Sequence, residues 1–472
     1  MHRPGHQQSP CSAVPEASTG PAEGDPVPGS PSRRRVLRGA GTLAVLGAAG
    51  TGAYTLRRRF SPPVDPRTVV PLFSATVAYD ASGTRQLIEA DRARTGTDSL
   101  DPGTRLLSAV PAAAAARERA AEFLAGTAWW TDALAEGSGA LSSRPALREL
   151  ASSALADLWV LTDELPAPVA GWSRNWRFIW PRDAAFAAVA LARIGHPDRA
   201  LDVLTHLESL QAGDGWYEAR YVPGTDRAPD DRARQFDGTG LVLWAAAEVV
   251  ATAPRERRTA VRERLAGLIS TSQRVLLAST GDGAVMPPVS PDYWEVHERS
   301  VTLGIMATTL AGLRAGAELT GEDRARRAAE TFRSLLTETF GAHGYQRHRR
   351  GGGADSALAF LDATGCHGIA PADQLLSLRQ ELARPGGGIA PGASWKADGI
   401  SWTPSTSLLA LALARSGRTT EAVELLIWLA QHRTEAGSLP EKVLFDGRPA
   451  AVAPLAWTAA NVLLALDALN ED

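Results

Sequence analysis

The feature that most constrains the fold is an alternation of helical segments with short and long connections. Apolar residues recur at helical spacing in segments rich in Ala, Leu and Arg. The predicted helices span 112–135, 145–163, 182–194, 197–211, 237–252, 255–277, 300–319, 322–339, 371–383, 404–416, 418–433 and 453–469. Several pairs are joined by a few residues, as at Gly195 and Gly417, where glycine suits the end of a helix. Helix, short turn, helix and long loop recur about six times, which predicts an all-α (α/α) toroid.

The long connections hold most of the unusual aromatic and charged residues. They span 164–181, 212–236, 278–299, 340–370, 385–403 and 434–452. An extended solenoid of helix pairs would show a repeat of fixed length, roughly 34–47 residues, which this sequence lacks. We therefore expect a closed ring of helices with the functional loops gathered on one face.

The chain before the helical part divides into regions of different composition. Residues 1–31 are rich in Pro, Gly and Ser without apolar periodicity, which predicts disorder. Residues 60–110 contain short Val- and Leu-rich pieces separated by Pro and Gly, which predict an N-terminal extension with a strand or two. The catalytic helical domain is expected over residues 111–472.

The segment 32–59 has the composition of a targeting signal. Its paired arginines Arg33 and Arg34 resemble those of a twin-arginine export signal, and an uncharged apolar run follows over 39–56. The run ends at the small residues 51–53, a tolerable cleavage site, and its length of about 18 residues is just enough to span a bilayer. We expect an exported protein, either extracellular or anchored to the cell membrane through 39–56; a cytoplasmic protein is the remaining alternative.

Charge and cysteine content bear on several classes of partner and site. The formal net charge is −3 and no basic stripe appears, so we expect no nucleic-acid partner. The two cysteines are Cys11 in the leader and Cys366, so a disulfide within the helical domain is not expected. The nine histidines form no His-Glu-x-x-His motif, and no Cys-x-x-Cys occurs. We expect neither a metal nor a cofactor, and a monomeric chain.

Residues 172–183 concentrate aromatic and charged side chains in one loop. Pro181 favours a helix start at about residue 182, which places Asp183 in the first helical turn. Indole faces beside charged hydrogen-bonding groups, such as Trp180 beside Arg182, suit a sugar ring with an apolar face and a rim of hydroxyls. The same residues also fit a buried tryptophan cluster with an Arg–Asp ion pair, and this stretch alone leaves both interpretations open.

A second charged cluster lies in the loop before the helix predicted at residue 300. Glu295 stands between Trp294 and Val296. Burial against an apolar ring disfavours the carboxylate anion, so we expect a raised pKa at Glu295 and a role as general acid. The structural alternative is a cap for the following helix, which suits Asp292 or Glu298 better.

A third cluster follows in the loop before the last helix. Hydrolysis with inversion requires a second, ionised carboxylate that activates a water molecule. Glu441 follows Pro440, which stiffens the loop, and precedes Lys442, whose charge we expect to keep the carboxylate ionised. An ordinary surface turn is the alternative for this motif considered alone.

Three further residues are weaker candidates for sugar binding. Asp237 opens a predicted helix, where a cap is an equally good explanation. Trp395 and Trp402 occupy one long loop and are predicted to form an outer sugar subsite.

Taken in chain order, these motifs resemble glycoside hydrolase family 15, the group of glucoamylases, glucodextranases and trehalases. The similar region covers about residues 105–470, and the motifs are Trp180-Pro181-Arg182-Asp183, Gln235-Phe236-Asp237-Gly238, Tyr293-Trp294-Glu295, and Leu439-Pro440-Glu441 with Pro454-Leu455-x-Trp457. Any one motif is weakly specific, whereas four in order are strongly specific. The resemblance implies an (α/α)6 barrel, also called a six-hairpin toroid.

The resemblance also implies roles for individual residues. Glu295 matches the general acid of the family and Glu441 its general base. The positions that match residues around the terminal glucose are Arg182, Asp183, Trp180 and Trp294. The implied reaction is inverting exo-hydrolysis of an α-glucosidic bond at the non-reducing end of an oligo- or polysaccharide, without metal or cofactor.

Two positions depart from the pattern of the family. A second glutamate often follows the acid, where this chain has Val296, and Gln or Glu usually follows the base, where it has Lys442. Residues 60–110 are also too few for the β-sandwich of many bacterial relatives. The changes at Val296 and Lys442 keep open a carbohydrate-binding protein that has lost turnover, and a glucosyltransferase is a further alternative. The linkage, α-1,4, α-1,6 or α,α-1,1, is left open as well.

Overall fold

A computed structural model of the chain describes residues 65–96, 98–108, 114–136 and 144–471. These residues belong to one compact unit, Val64–Asp472. The predicted disordered leader 1–31 and the predicted signal or anchor 32–59 lie outside the described residues. Within the described ranges, no helix has both the length and the hydropathy needed to cross a bilayer.

Helices make up most of the described chain. In chain order they are α1 Ala90–Arg94, α2 Ala114–Gly126, α3 Ala128–Glu136, α4 Pro145–Thr162, α5 Pro181–Arg193, α6 Pro197–Leu210, α7 Asp237–Thr252, α8 Arg258–Arg264, α9 Ala266–Ser279, α10 Leu303–Thr320, α11 Asp323–Thr339, α12 Leu358–Ala363, α13 Ala372–Glu381, α14 Thr403–Arg415, α15 Thr419–Gln431 and α16 Ala456–Glu471, with a 3-10 turn at Gly341–His343.

These helices form two concentric layers. The inner helices are α5, α7, α10, α12, α14 and α16; each packs against the next, and α16 packs against α5, so that the ring closes. The outer helices α6, α9, α11, α13, α15 and α4 each pack against inner helices. The predicted toroid of paired helices is therefore what the described residues form.

The two layers differ in composition because they are buried to different extents. Inner helices are buried nearly all round and contain small residues that allow close packing. A Cβ added to Gly240 on α7 would lie 2.1 Å from the carbonyl oxygen of Thr308 on α10. Outer helix α11 is amphipathic, since Ala325, Ala328 and Phe332 are buried while charged residues cover its other side.

Several predicted helix bounds were wrong for local reasons. The helix predicted over 112–135 is interrupted after Gly126, whose hydrogen in place of a side chain leaves room for the ring of His196. The helix predicted from residue 300 begins at Leu303, because the Thr302 side chain accepts a hydrogen bond from the N–H of Ile305. The short inner helix α12 was not predicted.

Short strands hold the long-loop face together. Strands β1 Thr76–Tyr79 and β2 Arg85–Ile88 form an antiparallel hairpin. Strands β3 Ser401–Trp402, β4 Lys442–Val443 and β5 Pro449–Ala450 form a small antiparallel sheet in which Trp402 pairs with Lys442. The predicted extension thus contains the strands expected of it.

The extension supports the loop that carries Glu441. Thr76 on β1 shares a 2.6 Å hydrogen bond with Ser438, and Arg105 donates to Asp157 on α4 at 2.9 Å. The fully buried Asp157 accepts hydrogen bonds from the Ser438 hydroxyl at 2.7 Å and from the Leu439 N–H at 2.8 Å. The start of the loop is therefore fixed from two sides.

Candidate active site

A cavity of about 490 Å³ lies among the long loops, at the N-terminal ends of the inner helices α5, α14 and α16. The sequence-predicted residues that line it are Trp180, Arg182, Asp183, Trp294, Glu295, Trp395, Trp402 and Glu441. Asp237 lies directly behind this wall. Residues from loops far apart in sequence are therefore brought together around one space.

Arg182 links the start of α5 to the start of α7. Its guanidinium donates to Asp237 at 2.9 Å and to Gln235 at 3.2 Å, and its Nε lies 3.3 Å from Asp183 Oδ1. Of the two interpretations of Asp237, the helix cap does not hold: Phe236 occupies the N-cap position, and the Asp237 carboxylate pairs with Arg182. This ion pair fixes the guanidinium against the cavity.

Asp183 is a buried acid next to a buried cation. Burial raises the pKa of Asp183 to about 7, although the charge of Arg182 acts in the opposite direction. Its Oδ1 lies 3.3 Å from Arg182 Nε without hydrogen-bond geometry, and this oxygen has no hydrogen-bond partner among the described residues. A buried acceptor of this kind suits a hydroxyl group of a ligand.

Glu295 occupies a strained turn at the cavity wall. Its φ angle of 54° lies in the left-handed region that is unfavourable for residues with a side chain. Its Oε1 accepts a 2.5 Å hydrogen bond from the Trp180 indole, and its Oε2 accepts one from the Arg232 guanidinium. The Arg182 Nη2 lies 3.6 Å from Oε1.

These contacts correct the expected surroundings of Glu295. The sequence predicted an apolar setting against Trp294, but the partners are an indole N–H and a guanidinium. The ring of Trp294 instead lies 3.5 Å from the guanidinium of Arg347. The apolar environment expected of Glu295 from its neighbours in sequence is therefore not the one that the fold provides.

A buried charge network holds the turn that carries Glu295. Arg347 pairs with Asp292 at 3.0 Å, Glu298 at 2.6 Å and Asp355 at 2.8 Å, and all four side chains are buried. The backbone carbonyl of Asp292 accepts the N–H of Glu295 at 2.8 Å. The alternative of a helix cap at Asp292 or Glu298 does not hold, since both carboxylates bind Arg347 and Thr302 caps the following helix.

Glu441 is a second buried carboxylate that lines the same cavity. Burial raises the pKa of Glu441 above its ordinary value, and the neighbouring Lys442, 3.3 Å away, opposes this shift without overcoming it. Lys442 also lies 4.3 Å from the ring centre of Trp402, its partner across the sheet. Lys442 is close enough to act as predicted, but its charge is outweighed by burial.

Three tryptophans form an angular wall. The rings of Trp294 and Trp395 meet at 4.9 Å and 86°, and those of Trp395 and Trp402 at 5.5 Å and 87°. Edge-to-face packing of this kind holds flat apolar surfaces at fixed angles. Such surfaces suit the apolar faces of sugar rings.

The sequence did not identify Arg220 and Arg232, which also line the cavity. Both lie in the loop 212–236, where four arginines occur and no local pattern separates one from another. Arg232 is 63 residues from Glu295 in sequence, so only the fold shows their contact.

Comparison with known proteins gives the fold and no family. No family model matches the chain, and no curated protein matches it. A glycosidase variant solved in complex with glucose has a TM-score of 0.57 and 23% identity over 69% of this chain and 97% of that one. A glucoamylase from Saccharomycopsis fibuligera has a TM-score of 0.55 and 12% identity over 68% and 95% of the two chains. A bacterial glucoamylase complexed with acarbose has a TM-score of 0.54 and 14% identity over 70% and 56%. At these identities the chain shares the fold of these enzymes.

Proposed function

We propose that the protein is an exo-acting α-glucoside hydrolase that inverts the configuration of the anomeric carbon. The observation that carries the proposal is the placement of Glu295 and Glu441, from loops 146 residues apart, around one cavity with the Arg182–Asp183 pair. The shared fold with a glycosidase and two glucoamylases supports a carbohydrate substrate.

The proposed reaction uses the two glutamates as acid and base. Glu295 donates its proton to the glycosidic oxygen as the bond from that oxygen to the anomeric carbon breaks. Glu441 removes a proton from a water molecule, whose oxygen bonds to the anomeric carbon from the opposite face. Glucose is released with inverted configuration, after which Glu295 regains a proton from solvent and Glu441 releases one to solvent.

The remaining residues of the cavity would bind the terminal sugar. Arg182 and Asp183 offer a donor and an acceptor side by side, which matches the hydroxyl groups of glucose. Trp180 and Trp294 offer apolar surface. A cavity of about 490 Å³ has the size of a small-ligand pocket, which suits a chain end better than the middle of a polysaccharide.

The contact between Arg232 and Glu295 bears on the assignment of the acid. A proton donor must carry a proton, which ends the ion pair with the guanidinium. Substrate binding must therefore separate the two side chains if Glu295 is the acid. The assignment of Glu295 as acid and Glu441 as base rests on the resemblance to family 15, since the contacts alone would favour the reverse.

A carbohydrate-binding protein without turnover is the second candidate. The observation that favours it is that each glutamate has a cation beside it, Arg232 at Glu295 and Lys442 at Glu441. Release of glucose from any α-glucoside would exclude this candidate. Glucosyl transfer is a third possibility, distinguished from hydrolysis by its products at high concentration of an acceptor sugar.

The test of the hydrolase is a pair of isosteric substitutions. Glu295→Gln and Glu441→Gln should each reduce kcat on the preferred substrate by at least roughly 1,000-fold, because each removes a proton-transfer group. Glu435→Gln, an exposed change in the same loop as Glu441, should leave kcat within about twofold of wild type. Wild-type turnover by the Glu295→Gln protein would contradict the mechanism.

Export through the segment 32–59 is a separate proposal. It rests on the paired Arg33 and Arg34 before the apolar run. Replacing both arginines by lysine keeps the charge but should abolish export, and fractionation of cells that produce the full-length chain would measure this. An unchanged distribution would contradict a twin-arginine route.

A further inference from the structure

Arg232 occupies an unusual position at the mouth of the cavity. Its side chain is 42% exposed, its guanidinium donates to Glu295 Oε2, and its Nε lies 3.3 Å from Asp230 Oδ2. The two carboxylates are thus its ionic partners among the described residues. A half-exposed arginine can change partner at little cost, because both arrangements remain partly solvated.

The second partner of Arg232 is already shared. Asp230 also pairs with Arg220, which is 9% exposed at its side chain. The Arg220 guanidinium lies 5.1 Å from the ring centre of Trp180 and donates to the carbonyl oxygen of Asn175 at 2.9 Å. Arg220 is therefore held in place, and Asp230 has to neutralise two guanidinium groups.

The charge balance changes when Glu295 becomes a proton donor. Arg182 pairs with the buried Asp237, and Lys442 has Glu441, so each of these cations has a carboxylate partner within the cavity wall. Protonation of Glu295 removes one negative charge. Arg232 is then left with Asp230, a carboxylate that also pairs with Arg220. A guanidinium has donors and no acceptor, so the group that would complete its pairing is an anion.

We propose that Arg232 selects α-glucosides whose leaving group carries an anionic substituent, a carboxylate or a phosphate, near the scissile bond. The inference rests on the proposed hydrolase site and names its substrate class. The anion would pair with the Arg232 guanidinium in place of Glu295, which frees the Glu295 carboxyl to hold its proton. A hydroxyl group of a neutral leaving group would compete less well, because charge-assisted hydrogen bonds are roughly twice as strong as neutral ones.

The test measures binding separately from turnover. The full-length Glu441→Gln protein retains Arg232 and Glu295, and calorimetry would give its affinity for matched sugars. Maltitol and maltobionate differ only in a neutral or a carboxylate terminus, and isomaltitol and isomaltobionate repeat this pair with the other linkage. Maltose and maltose 1-phosphate form the pair that tests a phosphate.

The expected result is a preference for the anion of about tenfold in Kd in at least one pair, as for a charge-assisted hydrogen bond. Adding Arg232→Gln should reduce that ratio to about one to two. Adding Arg234→Gln should preserve it, since Arg234 lies on the same loop, is 32% exposed and pairs with Asp214 away from the cavity. The pair with the larger ratio would identify carboxylate or phosphate.

Two results would overturn the inference. One is equal affinity, or no detectable binding, for the neutral and anionic members of every pair. The other is a preference that persists in the Arg232→Gln protein. Turnover is measured separately with the wild-type protein. Hydrolysis without a preference for anionic substrates would refute this inference and leave the proposed hydrolase activity standing. A preference for anionic ligands without any hydrolysis would refute the proposed hydrolase activity and leave this inference standing.

Discussion

The buried Asp183 makes the stability of the protein depend on pH in a predictable direction. Burial raises the pKa of Asp183 to about 7, whereas an aspartate in an unfolded chain has a pKa of about 3.9. Between these values the folded protein binds more protons at this site than the unfolded chain does. The free energy of unfolding therefore falls as the pH rises from about 4 to 7. Asp183→Asn removes this contribution and should flatten the dependence.

The magnitude follows from the width of the pH window. Between pH 5 and about pH 7, Asp183 is protonated in the folded protein and ionised in the unfolded chain. Each of these two pH units lowers the free energy of unfolding by about 1.4 kcal/mol, so the total loss between pH 5 and pH 8 is roughly 3 kcal/mol. At about 2.1 cal/mol/K of unfolding entropy per residue, 1 kcal/mol shifts the midpoint of a unit the size of Val64–Asp472 by about 1 °C. The wild-type Tm should therefore fall by about 3 °C more than that of Asp183→Asn between pH 5 and pH 8.

The assay is thermal unfolding of both proteins at pH 5 and pH 8 and constant ionic strength. Each protein is compared with itself at two pH values. The change in stability that arises because Arg182 loses the Asp183 carboxylate is the same at both pH values and therefore cancels. Asp198→Asn is the matched control, because Asp198 also lies in the first turn of its helix, α6, but is exposed. A difference that stays below about 1 °C, or that has the opposite sign, would refute the assigned protonation of Asp183.

Two further predictions concern the packing of the ring and the contact to Glu295. Gly240→Ala should lower the free energy of unfolding by about 1–3 kcal/mol or more, since its Cβ would meet a backbone oxygen at 2.1 Å. Urea unfolding measures this loss. The control is Gly213→Ala, because nothing lies within 4 Å of a Cβ added there. Trp180→Phe removes the indole N–H bound to Glu295 but retains a ring, so kcat should fall roughly 10- to 100-fold with KM changed by less than about threefold. Wild-type stability in the first variant, or wild-type kcat in the second, would contradict the respective contact.

The toroid could be predicted because its helices carry their own signals. Outer helices such as α11 bury one stripe, and glycine or proline marks many of their ends. The helix α12 escaped prediction because six residues are too few to establish a helical period, and all six are buried by their neighbours in the ring. Its formation depends on tertiary packing rather than on local sequence.

Eight of the nine residues predicted for the site line one cavity, whereas the electrostatics around them could not be predicted. Glu295 was assigned an apolar environment from its neighbours in sequence, yet its partners are Trp180 and Arg232, 115 and 63 residues away. The charge of Lys442 was correctly placed beside Glu441, but the burial that outweighs it is a property of the whole fold. A pKa depends on every group around the carboxylate, and sequence neighbours are a minority of them.

The extension provides a physical link between the N-terminal strands and the loop that carries Glu441. Thr76 and Arg105 reach Ser438 and Asp157, which in turn hold the chain just before Glu441. A chain lacking residues 65–108 would lose these contacts, so studies of activity should retain them.

The most direct test of the account is proton NMR of the full-length protein with maltose, isomaltose, trehalose and dextrin, observing the anomer of glucose as it is first released. The account predicts β-glucose from at least one substrate, and its loss in the Glu441→Gln protein, because water attacks opposite the leaving group. Initial release of α-glucose would contradict inversion and the two-glutamate mechanism.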